Sequence, residues 1–137
     1  VTAMEAGSKV DILPADIFFK SMAQAILVSD ETIQKNPQLV QKLVRATVKG
    51  MKDIMADPKA AAQVYANAVT VHKGKEASIQ KMFEMYNKYV YAKQKQPGAM
   101  DEPRLVDLQK FYVANGVVPT AVPPKDLYTN QFVANIK

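Results

Sequence analysis

The sequence predicts an α+β fold that is predominantly helical, with two short strands followed by four to six helices. The chain has 137 residues, 48% of them hydrophobic and 23% charged, which is the size and composition of an ordinary folded domain. Two short apolar runs near the start have the length of strands. From Ser29 onward the pattern is typical of helices. Capping residues lie close to prolines, and apolar residues recur at three- and four-residue steps.

The two predicted strands cover residues 10–13 and 24–28, and the first ends at Pro14. Each run contains β-branched residues and is followed by punctuating residues, as strands commonly are. Two lone strands do not make a stable sheet without partners. We therefore expect that something else supplies the missing strands, or that the helices pack as a bundle by themselves.

The predicted helices follow in order along the chain. Ser29 or Asp30 caps a short helix, and Asn36-Pro37 opens a long one with a single apolar stripe. Asp57-Pro58 has the same order of capping residue and proline, and it begins a helix rich in alanine. Two further helices are predicted between residues 74 and 96 and from 101 to 114, the second closed by Asn115-Gly116. The short turn between the long helix and the alanine-rich helix predicts a helical hairpin.

Composition excludes most catalytic chemistry. The chain has no cysteine and one histidine, His72, which removes thiolate metal sites, cysteine nucleophiles and paired-histidine chemistry. The five glycines stand far apart, so no phosphate-binding loop is present. Acidic residues occur singly or as adjacent pairs at helix starts, where capping explains them. We therefore predict no catalytic residue, no metal site and no cofactor, and a protein that is not an enzyme.

The net charge of +5 has a local origin. Residues 73–95 hold six lysines against two glutamates, and three tyrosines lie among them. A basic, tyrosine-bearing helix could bind nucleic acid or another polyanion, and this is the alternative function that the sequence offers. The simpler interpretation is a solvated lysine face with inward aromatics. Only two arginines are present to read bases or phosphates, so we favour a protein without a nucleic-acid partner.

One pattern carries a resemblance to a known family. Its specific part runs unbroken over residues 35–61 and includes Asn36-Pro37, Val44-Arg45-Ala46-Thr47, Lys49-Gly50, Asp57-Pro58 and Ala60-Ala61. The earlier runs at 10–13 and 24–31 and the ending at 126–132 fit the same pattern. The chain resembles the C-terminal half of the substrate-binding proteins of ABC importers, in the branch for nitrate, sulfonate, taurine and thiamine-pyrimidine precursors.

The resemblance implies a type II periplasmic binding fold, with two α/β lobes that close by a hinge on a small solute. Residues 1–29 would be the end of the second lobe and a crossover strand, and residues 30–137 a helical segment completing the first lobe, with no independent second domain. The implied partners are a solute such as a sulfonate, an aromatic acid or a pyrimidine, the ABC permease and ATPase subunits, and the N-terminal half of the same protein.

An exported, periplasmic location is also implied. No apolar run approaches the roughly 20 residues of a membrane span, and the start lacks both methionine and a signal-peptide layout. We expect the chain to begin after a cut, without its signal peptide.

The candidate ligand-binding residues are Pro14, Phe18, Phe19 and Ser29. They flank the two strands that would border the cleft, and none matches a binding motif of the family. Adjacent aromatics in an extended backbone point to opposite sides, so one of Phe18 and Phe19 could face the cleft. Because the predicted strand edges lack partners, we also expect the chain by itself to self-associate or exchange elements.

Overall fold

The computed structural model describes residues 1–14, 17–18, 22 and 24–136. Within these residues the helices are α1 (Thr2–Glu5), α2 (Asp30–Lys35), α3 (Pro37–Ala56), α4 (Pro58–Ala68), α5 (Glu76–Tyr89) and α6 (Glu102–Ala114). Short 3₁₀ turns follow at Thr70–His72, Tyr91–Lys93 and Pro124–Asp126. The predominantly helical character predicted from the sequence is confirmed, with five helices after Ser29 in the described residues.

The two predicted strands are not confirmed. Residues 10–13 and 24–28 have no regular secondary structure, and the described part of the chain contains no strand. A strand is defined by hydrogen bonds to a neighbouring strand, and these short runs have none to the residues that the structure describes. Local β propensity is therefore insufficient here, and the β component of the predicted fold class is not found.

The backbone divides into two compact units. Unit 1 contains residues 1–12 and 46–97, and unit 2 contains residues 13–45 and 98–137. Helix α3 contributes its first part to unit 2 and its second part to unit 1.

Unit 1 is organised around the packing of α4 on α5. Asp57 caps α4, since its Oδ1 accepts a hydrogen bond from the Ala60 N–H at 2.9 Å, with Pro58 at the first helical position. The small side chains of Ala62 and Ala66 are buried against Ile79 and Phe83 of α5. Small residues on one helix let the facing helix approach closely, so the alanine-rich composition of α4 has a packing role.

An aromatic group borders this core. The Tyr65 ring meets Phe83 edge to face, with ring centroids 6.0 Å apart, and lies 5.3 Å from the His72 ring. One turn after Phe83 on α5, the Asn87 side-chain amide donates a hydrogen bond to the Ile54 carbonyl at 2.9 Å. This bond links α5 to the end of α3 within unit 1.

The buried hydrophobic residues of unit 2 come from three segments: Val40 and Val44 of α3, Leu108 of α6, and Val133 in the last segment. The α3 residues lie four apart and belong to the predicted apolar stripe. Helix α6 begins at the Asp101 cap, whose Oδ1 accepts from the Arg104 N–H at 3.2 Å. It ends before Gly116, whose positive φ of 67° confirms the predicted left-handed cap.

Side-chain amides attach the final segment of the chain to unit 2. Asn130 pairs with both backbone groups of Met100, accepting from its N–H at 2.8 Å and donating to its carbonyl at 3.0 Å. Gln109 binds Val122 in the same paired manner, at 2.7 and 3.0 Å. Paired hydrogen bonds give a segment with little helix a defined position, so residues 117–136 are held on α6 and on Met100 before it by polar contacts as well as by the burial of Val133.

Candidate functional site

The predicted ligand-binding residues that the structure describes all belong to unit 2. Pro14 is half-buried, and its carbonyl accepts a hydrogen bond from the Ile17 N–H at 3.2 Å. The Phe18 side chain is 71% exposed. Phe19 lies outside the described residues. The Phe18 ring is therefore accessible for contact with a ligand.

Ser29 has a structural role as the N-terminal cap of α2. Its Oγ accepts a hydrogen bond from the Thr32 N–H at 3.2 Å and lies 2.9 Å from the Thr32 hydroxyl. The capping role matches the sequence expectation for Ser29 or Asp30. A ligand role for the exposed Ser29 stays a prediction, as it does for Pro14, Phe18 and Phe19.

A groove in unit 2 is lined partly by residues that are close in sequence to the predicted ligand-binding residues. We call it the α6 groove. It has a volume of about 260 Å³ and is lined by residues from three segments: Met22, Gln24, Ala25 and Leu27; Met100, Leu105 and Leu108; and Leu127 and Tyr128. None of the lining side chains that the structure describes carries a charge, and their polar groups are the Gln24 amide and the Tyr128 hydroxyl. The groove therefore suits apolar or aromatic groups with a few hydrogen-bonding atoms.

The Tyr128 hydroxyl is oriented by Glu102 at the start of α6. It donates a hydrogen bond to Glu102 Oε2 at 2.8 Å. This hydrogen bond is the main reason that the pKa of Tyr128 is raised above its ordinary value of 10.0, with smaller effects of desolvation and of the negative charges of Glu102 and Asp101. The hydroxyl consequently remains a neutral donor, and the bond attaches residue 128 to α6.

We expect the contribution of this hydrogen bond to stability to be lost in alkaline solution. Since the folded pKa of Tyr128 is raised, the contribution is fully present below the ordinary tyrosine pKa and disappears as pH rises through the folded value. NMR titration of the tyrosine ring carbons tests this. Glu102→Gln should lower the pKa of Tyr128, whereas Glu84→Gln on α5 should leave it unchanged. An unchanged pKa in Glu102→Gln would contradict the assigned cause.

A second groove lies wholly within unit 1. Its volume is about 360 Å³, and it is lined by Val1, Met4, Glu5, Ile12, Lys81, Glu84, Met85, Lys88 and Tyr89. Glu5 of α1 accepts hydrogen bonds from the Ser78 hydroxyl at 2.9 and 3.0 Å and lies 3.6 Å from Lys81 Nζ. These contacts hold α1 against α5, and the groove lies where the two helices meet. Its charges are of both signs, so no single ligand class follows from them.

The lysines of residues 73–95 are all exposed. Lys81 faces Glu5, and the Lys88 ammonium lies 5.1 Å from the centre of the Tyr89 ring. Ile79 and Phe83 on the same helix are buried in the core. The arrangement is that of an amphipathic helix with a solvated basic face.

Among the residues that the structure describes, no three histidine or acidic side chains lie close enough to hold a metal ion. None of the described helices is both long and apolar enough to cross a bilayer.

Comparison with known proteins confirms the resemblance seen in the sequence. Residues 1–61 match the sequence model of a family described as "NMT1/THI5 like". The riboflavin-binding protein RibY of Chloroflexus aurantiacus is 27% identical in an alignment 131 residues long, which covers 93% of this chain and 37% of that protein. The chain thus spans little more than a third of the length of this relative. No solved structure matches significantly. The matches point to binding proteins rather than to enzymes.

Proposed function

We propose that the chain is part of the solute-binding component of an ABC importer, and that it helps to capture a small organic solute. The observation that carries the proposal is the family match over residues 1–61, a region that contains Pro14, Phe18, Phe19 and Ser29. The similarity to a protein named for riboflavin binding extends this support over most of the chain. Solute capture requires no bond-making chemistry, in keeping with the scarcity of catalytic groups in the sequence.

In this proposal the solute binds in a cleft between two lobes, which close on it by a hinge motion. The division into residues 1–29, at the end of the second lobe, and 30–137, completing the first, belongs to the same proposal. Polypeptide beyond this chain supplies the other part of the cleft. The permease and ATPase subunits are the partners that receive the solute, and the location is periplasmic.

The size and lining of the α6 groove favour an aromatic solute over a strongly charged one. Pockets for organic ligands have volumes of roughly 300 to 1,000 Å³, so a groove of about 260 Å³ contains only part of such a ligand. A sulfonate needs cationic or multiple N–H partners once it leaves water, and the described residues of the groove lining include no cation. A pyrimidine or flavin ring has apolar faces and hydrogen-bonding edges, which match Leu105, Leu108 and the Gln24 amide.

A thermal-shift panel tests the proposal. The protein extended at its N-terminus is heated with riboflavin, pyrimidines, aromatic acids and sulfonates, and we expect its melting temperature to rise with an aromatic member of the panel. Phe18→Ala should weaken binding of that solute roughly two- to tenfold, the worth of one aromatic contact. Val64→Ala in unit 1, which removes a side chain of similar exposure, should not change it. No shift with any solute would contradict the proposal.

Polyanion binding through residues 73–95 stays the alternative. Its distinguishing property is a steep loss of affinity as salt rises, because counterions are released when phosphates are neutralised. A solute pocket has no such requirement. Absence of binding to DNA and RNA at low salt would remove the alternative.

A further inference from the structure

One polar group of the α6 groove has a fixed hydrogen-bonding role. The Tyr128 hydroxyl donates its single proton to Glu102 Oε2 at 2.8 Å. A hydrogen bond to a carboxylate is roughly twice as strong as one between neutral groups, so a neutral solute does not take this proton over. A phenol oxygen still accepts hydrogen bonds after its own proton is donated. Towards a solute in the groove, the Tyr128 hydroxyl therefore offers an acceptor and no donor.

The backbone donors around Tyr128 are also occupied within unit 2. Four residues of the groove lining donate their backbone N–H groups to protein acceptors: Met100, Leu105, Leu127 and Tyr128. The acceptors are the Asn130 side chain and the carbonyls of Asp101 and Pro124, at 2.8 to 3.3 Å. A solute carbonyl or carboxylate finds no backbone donor on these four residues, whereas a solute N–H finds the Tyr128 oxygen.

Negative charge beside the Tyr128 hydroxyl favours the same kind of solute. Besides the hydrogen bond to Glu102, the charges of Glu102 and Asp101 contribute to the raised pKa of Tyr128. A solute carboxylate within hydrogen-bond distance of the Tyr128 oxygen would lie within roughly 6 Å of the Glu102 carboxylate and would gain no proton from the hydroxyl. The solute group that meets Tyr128 is therefore neutral and is a hydrogen-bond donor.

We infer that Tyr128 determines solute specificity in the α6 groove by accepting a hydrogen bond from a ring N–H, and that Glu102 is its positioning residue. The inference rests on the proposed function and narrows its solute class to neutral aromatic rings that carry an N–H in a cyclic amide or imide. Such rings have flat apolar faces, which suit Leu105 and Leu108, and a donor at the edge, which suits the Tyr128 oxygen. Aromatic acids and rings alkylated at nitrogen lie outside this class.

Calorimetric titration of the N-terminally extended protein with matched pairs of rings tests the inference. Uracil is compared with its fully N-methylated form, and lumiflavin, a flavin ring without a sugar chain, is compared with its N-methylated form. The methylated rings keep the faces and carbonyl groups but have no N–H. We expect each N–H ring to bind roughly tenfold or more tightly than its methylated partner, because the methylated ring leaves the Tyr128 acceptor unpaired. Benzoate should bind more weakly than either N–H ring.

Tyr128→Phe removes the hydroxyl, keeps the ring and should abolish the preference for N–H rings. This preference is a ratio of two affinities of the same variant, so a loss of stability does not change it. Tyr112→Phe is the matched control, because Tyr112 lies on α6 outside the groove lining, and it should keep the full preference. Glu102→Ala frees the hydroxyl proton and should weaken the preference, whereas Glu102→Gln, whose amide oxygen still accepts that proton, should keep most of it.

The outcomes separate this inference from the proposed function. Equal affinities within each pair of rings, a preference that persists in Tyr128→Phe, or tighter binding of benzoate would overturn the inference and leave solute capture standing. Absence of binding by every probe would overturn the inference too, and the thermal-shift panel then decides whether a solute of another class is captured. Absence of any response in both experiments would remove the proposed function as well.

Discussion

Replacement of Phe83 by alanine is expected to lower the free energy of unfolding by about 3 to 5 kcal/mol. Phe83 is buried where α4 packs on α5, and its ring contacts the edge of Tyr65. The substitution removes the apolar contacts of the ring and leaves a cavity that Ala62 and Ala66 are too small to fill. Because domains of this size are stable by only about 5 to 15 kcal/mol, this loss is large.

Chemical denaturation of the 137-residue chain, followed by circular dichroism, measures the effect. Met82→Ala is the control: Met82 precedes Phe83 on the same helix, but its side chain is exposed. Met82→Ala should lower the free energy of unfolding much less than Phe83→Ala does. Equal losses in the two variants would show that the α4 and α5 contact does not organise unit 1.

Enlarging Ala66 to leucine is expected to destabilise the chain by about 1 to 3 kcal/mol. Ala66 is buried against α5, so a longer side chain there must displace Ile79 or separate the two helices. Leucine is nearly as good a helix former as alanine, and helix propensity therefore does not account for the loss.

Ala60→Leu is the matched control for this overpacking. Ala60 lies on the same helix with its side chain exposed, so the change should stay within about 0.5 kcal/mol. Thermal melts of the two variants compare them directly. If Ala66→Leu melted at the same temperature as Ala60→Leu, close packing of the alanines would not be the reason for the composition of α4.

The helices were predictable because their signals are local. Asp57-Pro58 and Asp101 mark the starts of α4 and α6, and both aspartates form the expected hydrogen bonds to backbone N–H groups. The stripe through Val40, Val44 and Val48 likewise identifies the buried face of α3. Each of these signals is local: a capping side chain and the N–H group that it binds, or successive residues of the stripe, are at most four positions apart.

Whether the predicted strands form, and where the α6 groove lies, depends on residues that are distant in sequence. Residues 24–28 have the composition of a strand, but no neighbouring strand pairs with them in the described chain, and composition alone does not supply one. The α6 groove brings together Gln24, Leu108 and Tyr128 from three separate segments. No local spacing relates these residues, so the sequence does not predict the groove, whereas the prediction of Pro14, Phe18 and Ser29 depends only on their nearness to the expected strands.

Calorimetric titration of the N-terminally extended protein with riboflavin and the pyrimidine members of the panel tests the central claim most directly. The account predicts saturable binding of one solute per chain, with an affinity that is lowered by Phe18→Ala and insensitive to moderate changes in salt. Saturation at one solute would show that the protein captures a small molecule. Absence of binding heat with every solute, together with salt-sensitive binding to DNA or RNA, would contradict the account and favour the polyanion-binding alternative.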